Sequence, residues 1–135
     1  MCIRDRVAAV PIYGRYDWFT KEGSGRPEFI GILQRYIVKK RFREHRSDYL
    51  DASPITKVRA DAPPFFVLHG TDDSIIPVQE GRAFAEALEQ ASDNPVAYAE
   101  IPHAQHAFDF FGSPHGHFTA TAVAHFLDWV NAKRG

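Results

Sequence analysis

Short apolar runs alternate with longer amphipathic stretches along this chain. Three of these runs are bounded by glycine or proline, namely residues 7–12, 65–69 and 96–101. Runs of this length and punctuation are typical of strands in a buried sheet. Apolar side chains recur at helical spacing over residues 29–42, over residues 79–92, and in a last stretch that reaches Val130. The pattern therefore predicts alternating strands and helices.

The order of these elements indicates the fold class. From residue 65 onward a strand, a helix, a strand and a helix follow one another, which predicts parallel strands joined by right-handed crossovers, with helices covering the sheet. Residues 44–64 are polar and contain several prolines, and they are interpreted as an irregular connection. The sequence thus predicts an α/β architecture whose function resides in its loops.

Composition and charge narrow the class of protein. With 135 residues, of which 44% are hydrophobic and 24% charged, the chain is expected to be one soluble globular domain or a part of one. A formal net charge of −1 argues against nucleic acid as a partner, and the short basic run within residues 39–46 is expected to be a solvated helix face. No run of about 18 apolar residues is present, so no integral membrane segment is expected.

The first residues and the single cysteine bear on where the native sequence begins and where in the cell the protein is located. Residues 1–6 place three charged side chains directly before the first apolar run, and we interpret them as a non-native segment. Residues 7–135 are then expected to form part of a single domain. Because Cys2 is the only cysteine, no intramolecular disulfide is possible, and a cytoplasmic location is expected.

Titratable side chains gather in the loops that follow the second and third apolar runs. In a parallel sheet the binding crevice lies beyond the carboxyl ends of the strands, so these loops are expected to carry the chemistry. The first loop contains Asp72 and Asp73, and the second contains His103 and His106. A carboxylate that accepts the Nδ1 proton of a histidine orients the ring and stabilises its protonated form. The sequence therefore predicts an acid–histidine pair.

Two motifs resemble a known family. His-Gly-x-x-Asp-x-x-Ile-Pro begins at His69, and His-Ala-Phe begins at His106. With the Ala-Pro-Pro-Phe-Phe-Val-Leu that precedes the first motif, they resemble the end of an α/β-hydrolase, in particular of carboxylesterases related to hormone-sensitive lipase. The match covers most of residues 7–132. It implies an α/β-hydrolase fold in which Asp73 is the acid and His106 the base of a catalytic triad, and it places residues 27–46 near the substrate entrance.

This resemblance is incomplete in two places. His103 stands where the family commonly has glycine, so a larger titratable side chain enters the histidine loop. None of the six serines has the glycine spacing of a Gly-x-Ser-x-Gly nucleophile elbow, and a His-Gly-Gly-Gly oxyanion segment is absent as well. The chain is therefore expected to be the C-terminal portion of the fold, with the N-terminal half and the nucleophile upstream of it.

The candidate residues allow other interpretations. Asp72 competes with Asp73 for the role of acid, because either residue is suited to cap the following helix. The clustered histidines suggest a metal site, but His103 and His106 lack the His-Glu-x-x-His pattern, so we expect neither a metal nor an organic cofactor. Phe108 follows His106 closely and is predicted to line an acyl pocket and contact substrate.

The resemblance favours one function over two alternatives. The intact protein is predicted to hydrolyse a small acyl ester: a serine attacks the carbonyl, His106 takes and returns the proton, and Asp73 holds the histidine. The alternatives are a serine peptidase of the prolyl-oligopeptidase type and a non-catalytic interaction module. The chain by itself is expected to be inactive, and the exposed edge of its narrow sheet favours self-association, with a homo-oligomer as one form.

Overall fold

The computed structural model describes residues 6–18 and 27–134, without the side chains at 27–29 and 111. Residues 1–5, most of the segment interpreted as non-native, lie outside the described residues, as does the Phe29 side chain of the first predicted helix. The described elements are, in chain order, α1 (Pro27–Ile32), a π-helical turn (Leu33–Ile37), α2 (Arg46–Ala52), a 3₁₀ turn (Pro54–Lys57), β1 (Phe65–Gly70), α3 (Val78–Ala91), β2 (Val96–Ile101), a second 3₁₀ turn (Phe110–Gly112) and α4 (Pro114–Ala132).

β1 and β2 pair in parallel, as predicted. Phe65 lies opposite Val96 and Gly70 lies opposite Ile101, so the two strands end at the same edge of the sheet. The aromatic and branched side chains of β1 suit a strand that is covered on both faces, and its second half is buried. The loops after β1 and β2 therefore start side by side.

α3 supplies the helical face that covers the sheet. Phe84, Ala85 and Leu88 are buried and recur at the spacing of one helical face. The ring of Phe84 stacks on Tyr16 with centroids 4.1 Å apart, and it meets the Phe65 ring edge-on at 5.9 Å. Full burial of a side chain as large as leucine or phenylalanine contributes about 1.5–3 kcal/mol to the stability of the fold. The predicted helix over residues 79–92 is confirmed by α3, and this packing fixes it on the sheet.

Residues 9–12 run along the edge of β1 that faces away from β2. Ala9 pairs with Phe65 and Ile12 pairs with Leu68, both in parallel. The Leu68 N–H donates to the Pro11 carbonyl at 3.0 Å, but Pro11 itself has no N–H to continue the ladder. The first apolar run therefore lies parallel to β1, but it forms two isolated bridges and not the continuous strand that was predicted, because this proline interrupts the ladder.

The first helix ends earlier than the hydrophobic periodicity indicates. After α1 comes a single π-helical turn, in which the Val38 N–H donates to the Leu33 carbonyl at 2.8 Å. Lys39 then adopts a φ of 59°, in the left-handed region, which ends the helix. The Phe42 N–H donates to Gln34 Oε1 at 2.9 Å instead of to a helical carbonyl. The predicted continuation to Phe42 is wrong, because the left-handed Lys39 and the local contact between Phe42 and Gln34 turn the chain back.

The connection over residues 44–64 is not irregular throughout, which corrects the prediction. It contains α2 and the first 3₁₀ turn. Tyr49 is fully buried, and its hydroxyl donates to the Lys40 carbonyl at 2.7 Å. A helix of seven residues is too short to be stable on its own, so α2 depends on this buried side chain. The helix propensities of its seven residues are too weak a basis to predict such a helix from the sequence.

Gly70, at the end of β1, lies against the loop that carries His106. A β-carbon at Gly70 would lie 2.2 Å from the carbonyl oxygen of Ala104, a backbone atom. We expect Gly70→Ala to lower the free energy of unfolding by about 1–3 kcal/mol through overpacking. Urea denaturation of the whole protein measures this loss.

The matched control for that substitution is Gly31→Ala. A β-carbon at Gly31 in α1 meets nothing within 4 Å. Alanine is about 0.5–1 kcal/mol more favourable than glycine inside a helix, so the control is expected to be neutral or stabilising. If Gly70→Ala unfolded at the same urea concentration as Gly31→Ala, the close approach of the two loops would be refuted.

Candidate active site

The Asp73 carboxylate is buried at the carboxyl edge of the sheet. Its side chain is 0% exposed. Oδ1 accepts hydrogen bonds from the N–H groups of Ile75 and Ile76, each at 2.8 Å. Oδ2 lies 2.8 Å from Nδ1 of His106. Three hydrogen bonds thus replace the water that this carboxylate loses on burial and fix its orientation.

Asp72 lies at the surface and belongs to a different contact. Its side chain is 48% exposed and lies 3.4 Å from Nδ1 of His103, which is itself 89% exposed. Thr71 Oγ1 also donates to Asp72 Oδ1 at 2.9 Å. Of the two candidate acids, the structure therefore brings Asp73 to His106 and leaves Asp72 with His103.

His106 lies on the loop after β2, with its side chain 25% exposed. Because Nδ1 is engaged by Asp73, Nε2 is the nitrogen that remains for proton transfer. The Asp72 N–H donates to the Ala104 carbonyl at 3.1 Å, which joins the acid loop to the histidine loop through backbone atoms. This geometry is that of an oriented general base, in which a carboxylate sets the tautomer and the direction of the ring.

His69 contacts the same carboxylate from inside the protein. It is fully buried, and Nε2 lies 2.9 Å from the Ile76 carbonyl oxygen and 3.4 Å from Asp73 Oδ2. A carbonyl partner requires a proton on Nε2, so this ring acts as a donor towards the Asp73 turn. A β-carbon at Gly81 would lie 2.8 Å from Nδ1 of His69, so α3 packs directly against the opposite edge of the His69 ring. His69 is thus placed to hold the turn that carries Asp73.

A cavity of about 300 Å³ opens beside His106. Most of its lining side chains are apolar, and they come from the loop after residues 9–12, from the first helical segment and from the Asp73 loop. They are Tyr13, Arg15, Trp18, Ile32, Leu33, Ile37, Ile75, Ile76 and His106. A larger cavity, of about 790 Å³, lies near Pro64 and Pro95 at the amino ends of the strands and does not include His106. The smaller cavity is therefore the one adjacent to the acid–histidine pair.

Phe108 is not among the residues that line this cavity. It is buried, its ring meets Tyr13 edge-on at 5.6 Å, and it lies 6.5 Å from the His115 ring. In the described part of the chain Phe108 thus packs behind Tyr13 and supports the histidine loop. Its contact with substrate stays a prediction.

Tyr13 belongs to the site although the sequence did not identify it. Its ring centroid lies 4.4 Å from that of His106, and its hydroxyl donates to Asp109 Oδ1 at 2.8 Å. Burial, with the hydrogen bond and the charge of Asp109, raises the pKa of Tyr13 to about 12, so the hydroxyl keeps its proton. The only available signal was position, because Tyr13 closes the first apolar run at the edge where sites form.

Glu80, in the first turn of α3, holds one wall of the cavity in place. The residue is buried, and Oε2 accepts from the N–H groups of Tyr16 at 3.1 Å and Asp17 at 3.4 Å. Burial raises the pKa of Glu80 to about 7, against the opposing effects of these hydrogen bonds and of the Arg15 charge. Glu80 thereby anchors the loop that contributes Arg15 and Trp18 to the cavity.

The described residues form neither a metal site nor a membrane-spanning helix. Within residues 6–18 and 27–134, no three His, Cys, Asp or Glu side chains come together as a metal site requires. His103 lies beside Asp72, and His115 packs against Phe108. Among the same described residues, no helix has the length and apolar character needed to cross a bilayer.

The fold and the geometry of the site together define a class of protein. Parallel strands are joined by a helical crossover, an acid follows one strand, and a histidine that contacts it follows the next. This order and geometry are those of an α/β-hydrolase.

The chain belongs to the prolyl oligopeptidase family, whose sequence profile matches residues 7–135. It is 50% identical to the probable carboxylic ester hydrolase LipM of Mycobacterium tuberculosis, over 93% of this chain and 29% of LipM. It is 42% identical to the esterase LipC of the same organism, over 94% of this chain and 32% of LipC. The chain thus spans less than a third of the length of these two relatives.

Solved structures support the same fold. The apo form of Thermogutta terrifontis esterase 2 aligns with a TM-score of 0.67 at 25% identity, over 91% of this chain and 42% of that one. The same esterase phosphonylated by sarin aligns with a TM-score of 0.66 at 26% identity, over 89% and 42%. The predicted α/β-hydrolase fold is confirmed, and this chain corresponds to part of it.

Proposed function

We propose that the whole protein hydrolyses carboxylic esters, with His106 as general base and Asp73 as the acid that orients it. The observation that carries the proposal is the 2.8 Å contact between His106 Nδ1 and Asp73 Oδ2 beside an apolar cavity. A buried carboxylate on Nδ1 stabilises the imidazolium that forms when Nε2 takes a proton.

The nucleophile in this proposal is a serine in the remainder of the whole protein. No serine of this chain has elbow spacing, and among the described residues no serine hydroxyl is hydrogen-bonded to His106. In the first half-reaction, His106 Nε2 takes the serine proton as the hydroxyl attacks the acyl carbonyl, and then gives that proton to the leaving alcohol. In the second, His106 Nε2 takes a proton from water as the water attacks the acyl-serine, and it returns that proton to the serine oxygen as the acid leaves.

The substrate is proposed to be a small ester with an uncharged, apolar acyl or alcohol group. The cavity beside His106 is close in size to the smaller ligand pockets of proteins, at about 300 Å³. Trp18, Leu33 and Ile76 present apolar surface to it. Such a surface favours the burial of a hydrocarbon group.

A serine peptidase is the second candidate, since the matching family profile is that of prolyl oligopeptidases. The names of the curated relatives favour an esterase. LipM, LipC and LipQ, at 50%, 42% and 38% identity, are each described as an esterase or a carboxylic ester hydrolase. One fold supports several activities, and the residues of the site decide which of them a protein has. Assays with an ester and with a peptide substrate therefore distinguish the esterase from the peptidase.

The whole protein is expected to hydrolyse p-nitrophenyl butyrate and to lose this activity when an organophosphonate labels its nucleophile. Thermogutta terrifontis esterase 2 is phosphonylated by sarin. Release of p-nitrophenolate measures turnover, and mass spectrometry of the labelled peptide identifies the serine. Faster cleavage of Gly-Pro p-nitroanilide than of the ester would favour the peptidase. Undiminished turnover after complete labelling would exclude a serine mechanism.

A further inference from the structure

Tyr13 links the extended segment 9–12 to the loop that carries His106. We propose that Tyr13 is a positioning residue, which holds the His106 ring against Asp73 and supports with its aromatic face the positive charge that this ring acquires. The inference rests on the proposed function, in which His106 takes a proton from the nucleophile. The turn that follows residues 9–12 would then be a third segment of the site, beside the loops that carry Asp73 and His106.

The backbone of Tyr13 is tied to the sheet in an unfavourable conformation. Its N–H donates to the Leu68 carbonyl at 2.8 Å, which fixes the residue beside the end of β1. Its φ is 41°, in the left-handed region that side chains with a β-carbon rarely adopt. Such strain persists where the surroundings hold the residue firmly, and it is concentrated at functional sites. The adjacent Gly14 would adopt this conformation freely, yet the strain falls on the tyrosine.

Both ends of the Tyr13 side chain contact the histidine loop. The ring lies 4.4 Å from the His106 ring, centroid to centroid, with the two ring planes tilted by 54°, and it lies 5.6 Å from the Phe108 ring. The hydroxyl donates to Asp109 Oδ1 at 2.8 Å. Within the same loop, Ala107 has a φ of 61°, directly after the histidine. A loop with a strained residue at this point depends on outside contacts to keep one conformation, and Tyr13 supplies them.

The charge of His106 explains why an aromatic ring suits this position. An aromatic face attracts a cation within about 6 Å of its centroid. The imidazolium benefits from this attraction more than the neutral ring, so the contact strengthens as the proton is transferred. Among the described residues, Asp73 contacts Nδ1 of His106, Arg15 lines the same cavity, and Asp109 accepts from the Tyr13 hydroxyl. Asp73 favours the imidazolium and Arg15 opposes it, so the ring of Tyr13 acts in the same direction as Asp73.

The test compares Tyr13→Leu with Tyr13→Phe in the whole protein. Leucine removes the ring, whereas phenylalanine keeps the ring and removes only the hydrogen bond to Asp109. We expect Tyr13→Leu to lower the pKa of His106 and to reduce kcat by about tenfold, with little change in KM, because the lost attraction acts on the charged state. Tyr13→Phe is expected to keep the pKa of His106. A histidine-resolved NMR titration and the acid limb of the kcat/KM profile give the two readouts.

A graded variant series covers the case in which Tyr13→Leu does not fold. Fluorinated phenylalanines at position 13 keep the shape of the Tyr13→Phe ring and withdraw electron density from its face. The pKa of His106 should then fall stepwise with the number of fluorine atoms. A constant pKa across this series, or a change confined to KM in Tyr13→Leu, would overturn the proposal.

The two failures can be told apart. If the wild-type protein hydrolyses no ester, the proposed function fails, and the NMR titration still reports whether the ring of Tyr13 acts on His106. If the protein is an active esterase and the His106 pKa is the same in all Tyr13 variants, only the positioning role is refuted.

Discussion

Substitution of His106 by alanine is expected to lower kcat for p-nitrophenyl butyrate by about 10⁴-fold or more in the whole protein. The physical reason is that no other described base contacts Asp73 from the cavity side, since His69 is fully buried and faces the Ile76 carbonyl. Without the imidazole, the nucleophile keeps its proton during attack and the leaving alcohol receives none. Steady-state kinetics on the purified variant measure the effect.

The matched control is His103→Ala. His103 lies on the same loop, three positions before His106, but it contacts the exposed Asp72 rather than Asp73. We expect this variant to keep kcat close to the wild-type value. A melting temperature within the wild-type range for both variants shows that the comparison concerns catalysis. Comparable losses from the two substitutions would mean that the loop as a whole, rather than the His106 base, is required.

Asp73→Asn is expected to lower kcat by about 10⁴-fold with little change in KM. An asparagine keeps the shape of the side chain, and its oxygen accepts from the Ile75 and Ile76 N–H groups as the carboxylate does. The amide nitrogen then faces Nδ1 of His106 and donates to it, so the ring carries its proton on Nε2. That tautomer is unable to accept the proton of the nucleophile, and the charge that stabilised the imidazolium is lost as well.

Asp72→Asn serves as the control for the acid, because Asp72 precedes Asp73 in the same loop and is exposed beside His103. We expect its kcat to stay near that of the wild type. The assignment of the acid would be reversed if Asp72→Asn removed activity and Asp73→Asn did not. The pH profile of kcat/KM adds a second check, since loss of the Asp73 charge should move the acid limb attributed to His106, whereas loss of the Asp72 charge should leave it in place.

Sequence reasoning succeeded where a local signal matched the tertiary environment. β1 and β2 are continuous apolar runs between turn residues, and both predicted strands agree with the structure to within a residue. The order of strands and helices implied a parallel sheet, and the meeting of the Asp73 and His106 loops follows from parallel geometry. The choice of Asp73 over Asp72 came from the family resemblance, since the residues alone left both open.

Several features of the site had no motif or periodicity that would identify them in the sequence. Tyr13 and His106 are far apart in the chain, and their contact depends on the pairing of residues 9–12 with β1. Glu80 reaches Tyr16 and Asp17 across 64 and 63 positions. Long-range contacts of this kind leave no periodicity in the sequence, because each partner satisfies only its own local pattern.

What the sequence by itself determined was the kind of element in each region and the chemistry in the two loops. Hydrophobic runs, glycines and prolines act over a few residues, and they specify strands, turns and the sites of Asp73 and His106 without reference to the rest of the molecule. Tertiary structure decided which acid contacts the histidine and which aromatic ring lies beside His106. These outcomes depend on distances between segments remote in sequence, and such distances are set only when burial of the shared core fixes the segments against one another.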